Sequence, residues 1–192
     1  MILRQNFWKN KNFVTKSLNV YDFLVNDINC NYVWRCNKKN IIKNYQENIG
    51  ENHLEIGPGT GYFLKDNYNI KNLFLVDINK DTLEYSQKNL KNYYKNIIKI
   101  EHNIFTTELK LNDIDSVGLN YVIHCVPGRI ENNIDNLINN INNNKPIKFF
   151  GSSVVSDINL QTKISECELL FLNKFKIFNN KEDISFNLIN YL

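Results

Sequence analysis

From residue 53 onward, short apolar runs alternate with stretches in which apolar side chains recur every three or four positions. That alternation is the pattern of a parallel α/β sheet. The runs predict strands at His53 to Ile56, Leu73 to Asp77, Ile97 to Glu101, Ser116 to Val122 and Ile147 to Gly151. Between them, helices are predicted at Gly61 to Asp66, Lys80 to Tyr93, Arg129 to Asn140 and Asn159 to Phe175. Leu83, Ser86, Leu90 and Tyr93 carry the helical period through the second of these. The expectation is a mostly parallel sheet of about five strands with helices on both faces, joined by right-handed crossovers, with any ligand at the carboxyl ends of the strands.

Residues 1–50 read as helical. Tyr21, Phe23, Leu24, Val25 and Ile28 form one apolar stretch, and Val33, Trp34, Ile41, Ile42 and Tyr45 form another. Such a segment is expected to lid a cleft in the domain formed by residues 51–192, with Gly50 ending it. No repeat or linker divides the chain, and the asparagine-rich stretch Asn139 to Asn144 belongs in the loop before Pro146.

Composition narrows the function classes. The chain has 192 residues and a hydrophobic share of 43%, enough for one domain with a substantial core. The excess of Asn, Ile and Lys reads as coding bias without chemical meaning. A net charge of +3, with scattered lysines, lacks the concentrated field of a nucleic-acid groove, so no nucleic-acid partner is expected. Cys30, Cys36, Cys125 and Cys167 and the histidines His53, His102 and His124 have no metal-ligand spacing, so free thiols and no metal are expected. No stretch resembles a signal peptide or a membrane span, which leads to the expectation of a cytoplasmic protein with no membrane partner.

The strongest chemical signal is His53-Leu54-Glu55-Ile56-Gly57-Pro58-Gly59-Thr60-Gly61-Tyr62-Phe63-Leu64, an apolar strand feeding a glycine-rich turn that opens a helix. Glycines there let the backbone approach a ligand closely, and N–H groups at a helix start face it. Gly57, Gly59 and Gly61 follow G-x-G-x-G, whereas the dinucleotide fingerprint needs its third glycine one residue later, where Tyr62 stands. With Glu55 two residues before the first glycine, the segment closely resembles motif I of the class I S-adenosylmethionine-dependent methyltransferases, E/D-x-G-x-G-x-G. The resemblance implies a Rossmann-like fold and S-adenosylmethionine as cofactor.

The other cofactor contacts follow from that resemblance. Asp77 ends an apolar strand twenty residues after Gly57, where a carboxylate can accept both ribose hydroxyl protons. After the third strand the family often places an acid against the adenine amino group. Here Asn103, followed by Ile104, takes that place, and an amide oxygen can accept the same bond. Asn120, within the predicted fourth strand, is a further candidate cofactor contact. Trp34-Arg35-Cys36, the glycine segment and His124-Cys125-Val126-Pro127-Gly128 are also similar to a small bacterial subgroup carrying W-x-C, GPGTGYFL and H-C-x-P-G.

The segment after the fourth strand faces the transferred methyl in this family. It contains neither the [D/N/S]-P-P-[Y/F] motif of nucleic-acid amine methylation nor the Pro-Cys order of cytosine C5 methylation, which points to a small-molecule acceptor. His124 is the candidate base, with a local hydrogen-bonding role as the alternative. Tyr21 and Trp34 are candidates to line the acceptor cleft. His53 is expected to pack or hydrogen-bond near the sheet's amino edge, away from the chemistry, and is assigned no role. A non-catalytic cofactor-binding partner and an RNA methyltransferase remain as other readings.

Full class I sheets end in an antiparallel hairpin. Here Ile177-Phe178 is too short for a strand and Lys181 to Leu192 reads as helical, so the hairpin is expected to be missing. A bare edge on the fifth strand would then favour a homodimer or a shortened fold with impaired activity.

Overall fold

The computed structural model describes residues 33, 34, 36–66, 68–157, 161–181 and 183. Tyr21, Cys30 and the segment 184–192 lie outside the described residues. Five parallel strands form the main sheet: β1 (Asn52–Ile56), β2 (Asn72–Asp77), β3 (Ile97–Glu101), β5 (Ser116–Asn120) and β7 (Lys148–Ser152). Their order is β3-β2-β1-β5-β7, so the chain reverses its direction of growth between β1 and β5, the crevice where α/β sheets bind ligands. Two short strands absent from the sequence reading, β4 (Leu109–Lys110) and β6 (Ile141–Asn142), pair in parallel beside it.

Helices α1 (Lys38–Asn48), α2 (Lys80–Leu90), α3 (Ile130–Asn140) and α4 (Lys163–Lys174) accompany the sheet. On one face, Ile41 and Tyr45 of α1 and Leu83 and Leu90 of α2 pack with Leu73, Leu75 and Phe150. On the other, Leu137 and Ile141 pack with Leu54, Ile56, Val76 and Val117. The alternation along β1 and β2 therefore serves two buried faces, as a covered parallel sheet requires. Among the described residues no strand follows β7, and no helix is long and apolar enough to cross a membrane.

Several predicted boundaries move, each for a local reason. The helix expected over Gly61 to Asp66 is a single 3-10 turn, Tyr62–Leu64. The Tyr94 hydroxyl lies 2.7 and 2.9 Å from the carbonyl oxygens of Leu64 and Asp66, with its one proton to share between them, and holds the chain where the turn ends. The fourth main strand stops at Asn120 because Tyr121 has φ 57°, a left-handed conformation that ends the pleat. Helix α3 starts at Ile130, whose N–H donates to Asp183 Oδ1 at 3.1 Å, a cap supplied from far along the chain.

The asparagine stretch was expected to be a chemically neutral loop. It acts as a fastener instead: the Asn143 side chain accepts from Ile114 N–H at 3.1 Å and donates to Ile114 C=O at 3.0 Å. Asn140 Nδ2 donates to the Ile104 carbonyl at 2.8 Å.

Candidate active site

The glycine turn begins where β1 ends. Gly57 N–H donates to the Val76 carbonyl at 2.8 Å, and Gly61 N–H closes on the Pro58 carbonyl at 2.7 Å. Gly57, Gly59 and Gly61 have φ of 61°, 55° and 74°, conformations that L side chains rarely adopt. Their surroundings differ. A Cβ on Gly57 would lie 2.6 Å from Val122 Cγ2 and one on Gly61 would lie 2.8 Å from Leu90 Cδ1, whereas one on Gly59 meets nothing within 4 Å. The outer two glycines are needed for packing, and Gly59 leaves open space.

Gly59 also lines a cavity, together with Tyr45, Glu55, the rest of residues 57–64, Asn120 and Tyr121. Glu55, Gly57, Gly59, Gly61 and Asn120, all expected from sequence, therefore come together on it. Glu55 is buried. Its Oε1 accepts from the Tyr45 hydroxyl at 2.6 Å and its Oε2 lies 2.9 Å from His53 Nε2. His53 hydrogen-bonds at the sheet's amino edge, one of the two roles expected of it, but its partner is the motif's acid, so it is not remote from the candidate site. Tyr45, placed by the sequence only in an apolar stretch of the helical segment expected to lid the cleft, both lines the cavity and touches Glu55. Phe63 stacks on Tyr45 with centroids 6.0 Å apart and stands 6.4 Å from the ring of Tyr121, whose strained backbone sits at the cavity wall.

Asp77 lies outside this cavity, at the end of β2. Its Oδ1 accepts from Asn79 N–H at 2.8 Å, and burial raises its pKa to about 6 against the pull of the Asn79 and Ile78 N–H groups. Ile78, the next residue, is 66% exposed, an apolar shelf beside a carboxylate that the sequence reading did not single out. The β2–β3 register pairs Asp77 with Glu101, and His102 N–H donates to the Asp77 carbonyl at 3.0 Å. Asn103 and Ile104 follow directly. Asn103 Oδ1 accepts from Phe105 N–H at 3.3 Å and Ile104 is buried.

The base role expected of His124 is not met by its surroundings. The ring is 2% exposed, lies 4.2 Å from the Phe178 ring and accepts at Nδ1 from Val154 N–H at 3.2 Å. Burial lowers its pKa to about 3. The segment that covers it is tied down by Asn179, whose N–H donates to the His124 carbonyl at 2.8 Å and whose Nδ2 donates to the Cys125 carbonyl at 2.9 Å. Trp34 joins the same aromatic stack, 6.3 Å from Phe178, and is not on the cavity wall. Among the described residues, Cys36, Cys125 and Cys167 form no disulfide.

Residues 54–143 match the methyltransferase-domain family. The chain is 32% identical over 176 residues to demethylluteothin O-methyltransferase of Streptomyces thioluteus, covering 88% of this chain and 75% of that one. The chain belongs to the S-adenosylmethionine-dependent methyltransferases. A second relative of this methyltransferase is the physcion biosynthesis cluster O-methyltransferase of Aspergillus chevalieri, 29% identical over 126 residues, with 61% of this chain and 54% of that one aligned. In fold it resembles the crystal structure of the N-methyltransferase NodS from Bradyrhizobium japonicum, with a TM-score of 0.55 at 13% identity, covering 81% of this chain and 80% of that one.

Proposed function

We propose that this methyltransferase seats the methionine end of S-adenosylmethionine in the cavity beneath the glycine turn and transfers its methyl group to a hydroxyl of a small-molecule acceptor. The observation that carries the reading is Gly59, the one turn glycine whose missing Cβ faces open space, on a cavity shared with Glu55 and Asn120. Asp77 holds the ribose hydroxyls, Ile78 offers its exposed side chain to the flat face of the adenine, and Asn103 with Ile104 reads the adenine edge. The O-methyltransferase relatives support an oxygen acceptor, and the W-x-C and H-C-x-P-G motifs support the bacterial subgroup.

The cofactor supplies a methyl already activated on a sulfonium. The protein's share is then to align and exclude water. The aromatic walls of Phe63 and Tyr121 suit both a sulfonium and an acceptor placed against it. Glu55 has both carboxylate oxygens engaged by Tyr45 and His53, and His124 is buried away from the cavity. The reading therefore assigns no general base.

Residues 1–50 complete the acceptor side in this reading, with α1 anchored rather than freely opening, because its Tyr45 is fully buried against the sheet. The outer edge of β7, unpaired by any described strand, is the surface on which a homodimer would form. Calorimetry tests the core of the proposal. Micromolar binding of S-adenosylmethionine or S-adenosylhomocysteine that disappears in Asp77→Ala supports it, and no binding to the wild type sinks it.

A further inference from the structure

β1 and β5 lie in the middle of the sheet, yet the face they turn toward α1 is polar. Leu54, Ile56 and Val117 go to the apolar layer on the far side, while His53, Glu55, Ser116 and Asn120 are buried on the near side. These groups form one chain of hydrogen bonds. Gly50 N–H donates to Ser116 Oγ at 2.8 Å, and Ser116 Oγ lies 2.8 Å from His53 Nδ1. His53 Nε2 meets Glu55 Oε2, and Tyr45 donates its hydroxyl proton to Glu55 Oε1. Asn120 Nδ2 donates to the Tyr45 oxygen at 2.9 Å, and Ser152 Oγ donates to Asn120 Oδ1 at 2.8 Å.

Room for this chain comes from Gly118, where a Cβ would lie 2.5 Å from Glu55 Oε2 and 3.0 Å from His53 Cε1. Burial, with Glu55 alongside, pushes the Tyr45 hydroxyl well above its ordinary range, so it remains a neutral donor. Its single proton goes to Glu55, which leaves its oxygen to accept from Asn120 and so fixes which way the Asn120 amide faces. Tyr45 is therefore the joint between two cavity residues on different strands, and it is supplied by α1. The same helix reaches the glycine turn a second time, through Lys38 Nζ at 3.0 Å from the Tyr62 hydroxyl.

We propose that Tyr45 is a positioning residue that couples the seating of α1 to cofactor affinity, by holding Glu55 and Asn120 in the arrangement the cofactor's methionine end requires. Coupling of this kind is reciprocal: cofactor binding tightens α1, and loosening α1 weakens binding. The inference rests on the cavity being the cofactor site.

Tyr45→Phe tests it, since the ring keeps its contacts with Phe63, Tyr68 and Phe150 and loses only the hydroxyl. The expected result is a loss of S-adenosylhomocysteine affinity of at least tenfold, a smaller melting-temperature rise on adding that ligand, and non-additive losses when Glu55→Gln is combined with Tyr45→Phe. In the wild type, the ligand should slow hydrogen exchange of residues 38–48, a measurement that needs no variant.

A hydroxyl serving stability alone would lower the melting temperature while leaving the dissociation constant unchanged, and that result overturns the proposal. Additive losses, or exchange in α1 indifferent to the ligand, overturn it too. No binding by the wild type would instead remove the cofactor assignment and this inference with it.

Discussion

Leu90, the last residue of α2, lies directly beneath Gly61: a Cβ on that glycine would come within 2.8 Å of Leu90 Cδ1 and 2.9 Å of its Cγ. Two residues earlier in the turn, Gly59 has no such neighbour. The two positions therefore separate folding from binding. Gly61→Ala must displace Leu90 as well as adopt a left-handed conformation, and is expected to cost about 2 kcal/mol or more of stability. Gly59→Ala carries only the backbone cost, about 1 to 2 kcal/mol, yet places a methyl group where the proposed site would receive the cofactor. Urea unfolding should show the larger loss for Gly61→Ala. Calorimetry should show the loss of S-adenosylmethionine affinity for Gly59→Ala in protein that is still folded. Equal stability losses, or unchanged affinity in Gly59→Ala, would contradict this division.

The pKa of Asp77 sets a pH dependence with two opposite signs. Burial raises it to about 6, and the ribose contacts proposed for it require the ionised form as acceptor. Cofactor affinity should then be level above neutral pH and fall as pH drops through about 6. The unbound protein behaves the other way. The folded state holds this proton more tightly than the unfolded chain, so the stability contributed by Asp77 is greatest at low pH and is lost as pH rises through about 6. Affinity measured from pH 5 to 8 in the wild type and Asp77→Asn checks this; the variant should bind weakly at every pH without the downturn.

For His124 the expected behaviour is structural. The folded ring is neutral down to about pH 3, whereas the unfolded chain takes up a proton near pH 6.5, so stability from this group is present above that value and drains away as pH falls below it. His124→Leu removes the acceptor for Val154 N–H and is expected to cost about 1 to 3 kcal/mol. Methyl transfer per folded molecule should be unaffected, and the pH profile of turnover should show no limb that disappears in the variant. A large fall in turnover at unchanged stability would restore the base role.

Much of the fold was legible because the signals were local. Ile97–Glu101 was located to the residue, and the remaining main strands came within one or two positions, since a buried parallel strand is a short apolar run bounded by polar turns. The glycine turn was legible because positive φ selects glycine regardless of what lies elsewhere. What escaped was non-local. Nothing near His53 in sequence shows that Ser116, sixty-three positions on, would meet its Nδ1, or that Tyr45 would reach Glu55 from another element. One signal was present in His53-Leu54-Glu55-Ile56: if Leu54 and Ile56 fill one apolar face, His53 and Glu55 share the other, where burial obliges them to find partners. The choice between the two roles open to His124 was not legible for the same reason, because its environment is made by Phe178 and Val154, neither of which its neighbours in sequence foretell.

Asn143 provides a test of the asparagine stretch. Its side chain presents an acceptor and a donor to the N–H and C=O of Ile114, as a neighbouring strand would, and its Nδ2 also donates to the Lys145 carbonyl at 2.9 Å. Ile114 is fully buried two residues before β5, so these bonds hold the approach to the central strand that delivers Asn120 to the cavity. Asn143→Ala leaves the Ile114 amide and carbonyl without those partners and is expected to cost about 1 to 3 kcal/mol. Asn139→Ala, on the exposed side of α3, is expected to lie within about 0.5 kcal/mol of the wild type. If both substitutions prove equally neutral by urea unfolding, the asparagines are compositional filler after all; a clear difference shows that the loop is held by side chains standing in for a strand.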